Sequence, residues 1–289
     1  MNLSDIRYER FSKKDYYTAS ELLSQDAEAG ADLLQVLDEE PETFICAFID
    51  DALIALAQME APTHQSHLNV FVAPRFRRRG IGAAMVLAAE TQLQAGGTRA
   101  VSTSFRSGAP ASPGFARKLG YAPYYSLVYM KRTGGFFSQE EVPVRLYEDE
   151  DFLPAHSLYA TAFHEMRVRI GRFPDSVVAQ PNEGRRNAWK ADAEDRFVYE
   201  INGEIAAYSH LHGNEISSVS VRSDLQGRGI GRKFVKYLCN EIYQRGHSAV
   251  ILCCVAGNEA RQLYDSLGFQ ETHIMEYMRK TLEVSESKI

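Results

Sequence analysis

The sequence contains no apolar run long enough to cross a bilayer. Its longest, near AVILCCVAG (249–257), falls far short of the roughly 20 residues that a spanning helix needs. The opening MNLSDIRYER has no apolar core of the signal-peptide kind, so a cytoplasmic protein with no membrane partner is expected. Cysteine is scarce. Cys46, Cys239, Cys253 and Cys254 show no C-x-x-C spacing, which excludes a disulfide framework. Cys253 and Cys254 adjoin in a strand-like run, point to opposite faces and read as small buried hydrophobes. Excess positive charge is missing too. Lys and Arg number 32 against 38 Asp and Glu, a net charge of −6, so no overall basic field exists to hold nucleic acid. Arg75, Arg77, Arg78 and Arg79 are a local exception. His64 and His67, like His210 and His212, have no carboxylate or thiolate at ligand spacing, and no metal is expected.

The chain offers 289 residues of ordinary globular composition, 45% hydrophobic and 24% charged, enough for two domains. It also repeats itself. PRFRRRGIGAAM (74–85) and SDLQGRGIGRKF (223–234) share x-x-Gly-Ile-Gly ahead of an apolar helix. Gly229 follows Gly80 by 149 positions, Gly231 follows Gly82 by 149, and Gly268 follows Gly120 by 148. A register held over about forty positions marks a duplicated domain.

Each copy reads in one order. A first strand is expected at Ser4–Glu9 and again at Pro143–Tyr147. Helices follow at Lys13–Leu23 and Ala31–Glu40, and in the second copy from Phe152 to Phe163. Two strand-like runs then turn at Asp50-Asp51 and at Asn202-Gly203, the stronger hairpin signal. A third strand (Leu68–Val72; Glu215–Val221) enters the glycine loop. In the second copy Ile230, Phe234, Leu238 and Ile242 fall at four-residue steps on one helix face, and Gly246 is a plausible cap. Strand Ala249–Val255, helix Glu259–Leu267 and a strand near Thr272–Arg279 complete it. The expected domains are 1–133 and 143–289, joined by a linker at 134–142 whose Gly134-Gly135 opens an acidic stretch.

QGRGIG (226–231) has a definite physical capacity. Glycine lets backbone N–H groups crowd toward one point. The following helix starts with amides that lack internal partners and with the positive end of its dipole. That combination binds phosphate, and Arg228 and Arg232 add charge at the rim. The Gly-Lys-Ser/Thr of a P-loop is absent. The loop also follows several antiparallel-looking strands, unlike the dinucleotide fingerprint.

Gln226-x-x-Gly229-x-Gly231 and Arg77-x-x-Gly80-x-Gly82 resemble the acetyl-CoA signature of the GCN5-related N-acetyltransferases. VAGNEARQLYDSLGF (255–269) resembles that family's later motif. The resemblance implies an α/β fold of two tandem acyltransferase domains, each a mixed, mostly antiparallel sheet flanked by helices. It implies acetyl-CoA as cosubstrate and no metal. The coenzyme would lie on Gln226, Gly227, Arg228, Gly229, Ile230 and Gly231, with Val219 and Val221 offering backbone N–H groups from the preceding strand. In the first copy Arg77, Arg78, Gly80, Gly82, Val70 and Val72 correspond.

Acetyl transfer to an amine requires deprotonation of the amine, stabilisation of the tetrahedral oxyanion and protonation of the departing thiolate. Tyr264 matches the family's proton donor, and a phenol near pKa 10 can serve a thiol of about 8.5. Its alternative is packing beside Leu263 and Leu267. Asn258 is carried over as a contact to the pantetheine arm, and it is also a good N-cap. Glu215, eleven positions before Gln226, is the candidate base, with His210, His212 and water as alternatives. Counted the same way, the first copy has Ser66 opposite Glu215, Ala116 opposite Tyr264 and Pro110 opposite Asn258. Tyr121, Tyr124 or Tyr125 are its possible substitute phenols. The second domain is therefore expected to catalyse beside a degenerate first one. The acceptor is expected to enter beside the early helices, where Arg167, Arg169, Arg172, Arg185, Arg186 and Trp189 lie. A small-molecule amine is the leading expectation, for a monomer or homodimer. A protein N-terminus or lysine, and a non-catalytic coenzyme-sensing module, are the alternatives.

Overall fold

The computed structural model describes residues 3–109 and 111–282. The first repeat comprises β1 (Arg7–Arg10), α1 (Tyr16–Ser24), α2 (Ala27–Glu39), β2 (Phe44–Ile49), β3 (Ala52–Met59), β4 (Gln65–Val72), α3 (Ile81–Ala95), β5 (Ala100–Arg106), α4 (Ser112–Lys118) and β6 (Ala122–Arg132). The second follows the same order: β7 (Val144–Leu146), α5 (Phe152–Ile170), α6 (Glu183–Ala191), β8 (Arg196–Ile201), β9 (Glu204–His212), β10 (Glu215–Val221), α7 (Ile230–Gln244), β11 (Val250–Val255), α8 (Ala260–Ser266) and β12 (Gln270–Thr281). This is the mixed α/β class expected.

Local chemistry explains most boundaries. Both hairpin turns use left-handed backbone: Asn202 and Gly203 at φ 53° and 80°, and Asp50 at 51°. Asn-Gly adopts this readily, whereas Asp50 bears the steric cost alone. The second helix begins at Ala27, four residues before the expected Ala31, because Asp26 caps it by accepting from the Ala29 N–H at 3.2 Å. Helix α5 runs on past Phe163 to Ile170 and ends at Gly171, φ 70°. Helix α6 lay unrecognised in the proline-broken stretch before it. Asn182 caps it, accepting from the Arg185 N–H at 2.8 Å.

Two compact units emerge, one of Met1–Tyr125 with Met275–Ile289, the other of Ser126–Ile274. The first unit's sheet runs β1-β2-β3-β4-β5-β12, and the second's runs β6-β11-β10-β9-β8-β7. Among the described pairings, β4–β5 and β10–β11 are parallel. Strand β12 pairs with β5 from Met275↔Arg106 to Thr281↔Ala100, and β6 pairs with β11 from Arg132↔Val250 to Leu127↔Val255. The repeats thus exchange their last strands, whereas boundaries at 133 and 143 keep each strand in its own repeat. Met278 and Leu282 are buried in the first unit's core, and Val128 and Met130 in the second's. Apolar alternation marks a strand as buried on a sheet without naming the sheet. Residues 134–142 form no regular element, yet they are tied down within the second unit. Phe137 exchanges two hydrogen bonds with the Asn240 side chain at 2.8 and 3.1 Å, and Glu140 pairs with Lys236 at 3.0 Å.

Helix α7 buries Ile230, Phe234, Leu238 and Ile242 as its spacing predicts. On the opposite face of that sheet, α5 and α6 cover a cluster of Tyr147, Phe152, Trp189 and Tyr208. Trp189 packs rather than lining an opening. It stacks on Tyr208 at 4.6 Å, under the Arg196 guanidinium.

Candidate active site

The glycine turn of the second unit is open. Gly227 and Gly229 adopt φ 74° and 81°, and nothing lies within 4 Å of where a Cβ would project. Backbone conformation, not crowding, therefore requires glycine at both. Gly229 is the N-cap of α7, and no side chain caps the helix, so its first amides remain available. The Gln226 side chain points inward, its Nε2 donating to the Val221 carbonyl at 3.0 Å. Its task is to pin the turn to β10. Ile230 is buried in the core and offers only its backbone. Gly231 lies in ordinary contact range of Leu263 and Val221. Arg228 is exposed at the rim, and Arg232 bonds Ser266 Oγ at 2.9 Å.

Strand β10 leads into this turn half unpaired. It meets β11 only at Glu215↔Ile251 and Ile216↔Leu252, so beyond Ile216 that edge has no ladder partner. Its pairing with β9 is interrupted by a bulge. Ser217 faces His210 and Ser220 faces Tyr208, so β10 carries one extra residue. Ser218 takes φ 58° there. A bulge bends a strand and increases its twist, and here it accompanies the divergence from β11. Val219 and Val221 turn their side chains to the core, leaving their backbone as the part that can serve a ligand.

Tyr264 sits on α8 with its ring 6% exposed, edge-on to Phe269. Its hydroxyl has no hydrogen-bond partner among the described residues and is not among the atoms sealed from solvent. Burial pushes its pKa above the ordinary phenol value, with Cys254 and Cys253 adding to the shift. Asn258 precedes Glu259, the N-cap of α8, and its Oδ1 accepts from the Ala260 N–H at 3.0 Å. Glu215 is half-buried with no ion pair or hydrogen bond among the described residues. Desolvation raises its pKa against the opposing influence of His212. His210 is less suited to be the base. Its Nε2 lies 3.0 Å from Asp192, and burial and the Arg196 charge hold its pKa down to about 4. His212, exposed, packs against it with ring centroids 3.9 Å apart. Cys253, on β11 just past its last pairing with β10, went unrecognised as a neighbour of the site. Its pKa is pushed up to about 12 by burial and then by Glu215, and it raises that of Tyr264 in turn.

A family model described as acetyltransferase (GNAT) family matches residues 5–121, and one described as FR47-like protein matches 199–279. Over 134 residues the chain is 32% identical to the ribosomal protein bS18 alanine N-acetyltransferase of Escherichia coli K12, covering 44% of this chain and 85% of that one. The chain belongs to the GNAT acetyltransferase family. It is also 28% identical over 251 residues to mycothiol acetyltransferase of Rhodococcus opacus, covering 77% of this chain and 78% of the relative. A GCN5-related N-acetyltransferase from Sphaerobacter thermophilus shares the fold, with TM-score 0.72 at 19% identity over 96% of each chain. The family uses acetyl-CoA. Among the described residues, no helix is long and apolar enough to cross a membrane, and no cluster suits a metal.

The first unit of this acetyltransferase is built differently at each of these points. Strand β4 pairs with β3 from Met59↔Leu68 to Ala55↔Val72 without a bulge. Past His67↔Ser102 its gap from β5 is bridged by side chains. Asn69 Oδ1 accepts from the Ser104 N–H and the Thr103 hydroxyl, each at 3.0 Å. Arg77 clamps the Val72 carbonyl as Gln226 does Val221, and also pairs with Asp26 at 2.7 Å. Arg78 holds a left-handed φ of 64° without being glycine. Leu3 reaches within 3.4 Å of a Cβ on Gly80, and Phe115 within 3.2 Å of one on Gly82, so side chains crowd this turn. Val70 and Val72 pack in the core. Ala116 is buried where Tyr264 stands, and Pro110 lies outside the described residues. Tyr121 cannot replace the phenol because its hydroxyl donates to Glu90 at 2.8 Å in the interior.

The bulge also corrects the alignment of Glu215, the candidate base. Glu215 faces His212 across β9–β10. The corresponding pair in the first unit is His67 with Glu60, whose N–H donates to the His67 carbonyl at 3.1 Å. Register therefore sets His67, not Ser66, opposite Glu215, with acid and imidazole exchanged between the strands.

Proposed function

We propose that the second unit transfers the acetyl group of acetyl-CoA to a primary amine of a small molecule, and that the first unit does not turn over. The observation that carries this reading is the unpaired edge of β10 between an uncapped glycine turn and an unpartnered phenol. The residues present fit the coenzyme: the turn is free of side chains, its helix amides are uncapped, and Arg228 flanks it. Acetyl-CoA supplies the activated acyl thioester when bound. The turn's N–H groups hold its phosphates. The free amides of β10 donate to the acyl oxygen, a stabilisation worth most where charge develops.

Glu215 removes the acceptor's proton. Burial makes its carboxylate more basic than an ordinary one, which suits a general base. Tyr264 donates a hydrogen bond to the sulfur. Its raised pKa makes it a weaker acid than a free phenol, so it stabilises the leaving thiolate as a donor and largely retains its proton.

Two features favour a small acceptor over a protein. The chain is acidic and has no basic recruitment segment. The relative aligned over most of both chains is named for mycothiol, whereas the one named for a ribosomal protein aligns over 44% of this chain. The test is release of free thiol from acetyl-CoA across a panel of small amines and peptides. Saturable release with a small amine is expected. Release with peptide N-termini alone would move the reading to protein acetylation, and none with any acceptor would overturn it.

A further inference from the structure

Few side chains hold helix α6 to the second unit. Of its nine residues Trp189 alone is buried. Arg186 pairs with Asp149 at 2.9 Å. A third tie runs inward: the Arg185 guanidinium donates to Nε2 of His156, on α5, at 3.2 Å. His156 is 1% exposed. We propose that the Arg185–His156 contact is a pH-sensitive latch: protonation of His156 in mild acid sets two cations side by side and releases α6, while α5 and the sheet stay folded.

The hydrogen bond fixes the state of the ring. A guanidinium donates and never accepts, so Nε2 must present its lone pair. The ring is then neutral with its proton on Nδ1, which is sealed from solvent and has no partner among the described residues. A proton arriving at Nε2 breaks the bond and leaves two adjacent cations, one of them buried. Among the described residues, Arg185 is the one charged group acting on the ring, and burial, then that charge, holds its pKa below the ordinary value. Asp149 and Asp151, in the turn before α5, are engaged by Arg186 and Arg145. Phe152, Tyr159 and Trp189 stand tilted or edge-on around the imidazole. Tyr147 and Tyr208, on the far side of Trp189, are phenols and uncharged in acid.

His210 is the contrasting case. It lies 3.0 Å from Asp192, just past the end of α6, so a carboxylate answers the charge that protonation adds there. The sign for His156 follows from its burial. Its pKa is the ordinary imidazole value of about 6.5 when α6 is away and lower when α6 is docked. Docking is therefore complete above that value and weakens as pH falls, by up to about tenfold per pH unit, until the docked ring is itself protonated. Tyr208, His210 and His212 alternate onto one face of β9, Tyr208 lies in the cluster beneath α5 and α6, and Glu215 faces His212. Acid would thus loosen the helix over the face that carries the candidate base. That consequence rests on the acetyl-transfer reading, whereas the latch does not.

The test is amide hydrogen exchange of the whole protein, without acetyl-CoA, from about pH 7.5 to about pH 5, corrected for the intrinsic pH dependence of exchange. Protection of the α6 amides should fall about tenfold or more, with α5 and β10 unchanged within twofold. His156→Gln accepts the same bond from Arg185 without titrating, and should hold the α6 change within twofold. Arg185→Gln, at a half-buried position, keeps a donor without the charge and should make the fall at least threefold smaller. A steady α6 in the parent, an undiminished fall in both variants, or an equal loss in α5 and β10 would overturn the proposal. So would a fall abolished by His210→Gln and not by His156→Gln, which would assign the trigger to His210. No turnover is read, so failure here leaves the acetyl-transfer reading standing.

Discussion

Replacing Tyr264 by phenylalanine separates chemistry from packing unusually well in this protein. The ring is buried and edge-on to Phe269, and phenylalanine keeps both. The lost hydroxyl bonds to nothing among the described residues, so folding stability should change by no more than about 0.5 kcal/mol. The hydrogen bond to a developing thiolate should disappear. Bonds to charged groups contribute about 1.5–3 kcal/mol, which predicts a fall in kcat of roughly 10- to 150-fold. The assay is thiol release followed with a chromogenic disulfide. The protein's own thiols interfere little, since burial pushes Cys46, Cys239 and Cys253 up to about 12. A second signature concerns alkali. The folded-state pKa of Tyr264 is raised, so its stabilising contribution is complete below the unfolded phenol value of about 10 and is lost as pH climbs through the folded one. The variant should therefore lose less stability than the parent in strong base. Full turnover in Tyr264→Phe, with acetyl-CoA saturating normally, would refute the reasoning.

Other outcomes follow from the same geometry. Gly229→Ala and Gly80→Ala should each cost about 1–2 kcal/mol, since both positions have φ above 80°. Only the former should raise the KM for acetyl-CoA, and equal kinetic loss in both would contradict the division between the units. Glu215→Gln should abolish the acidic limb of kcat/KM. Because burial raises the Glu215 pKa, ionising it opposes folding. The variant should therefore be more stable than the parent at pH 8, with the gap closing below the ordinary carboxyl value of about 4.3. A chain ending at Ile274 removes the strand that covers β5, and buried Met278 and Leu282 with it. Hydrogen exchange should then show β5 amides losing protection while β11 keeps its own.

Much of this protein is determined by sequence periodicity alone. The duplication, the hairpin at Asn202-Gly203 and the buried stripe of α7 depend on residues near in the chain, whose spacing and backbone preferences act locally. The glycine turns were legible for the same reason, as was the loss of the phenol at Ala116. What only the tertiary structure decided depends on partners far apart in sequence. No local signal says that β12 completes the first unit's sheet and β6 the second's, because each strand is equally apolar for either sheet. Nor does spacing reveal the bulge at Ser218, which shifts the first-unit counterpart of Glu215 from Ser66 to His67. Side chains of Leu3 and Phe115 crowd one turn while its twin stays open, and Asn69 closes one strand gap while the other remains unpaired. Those differences separate an open turn beside an unpaired strand edge from a crowded turn beside a closed one, and they arise only when distant segments compete for the same space.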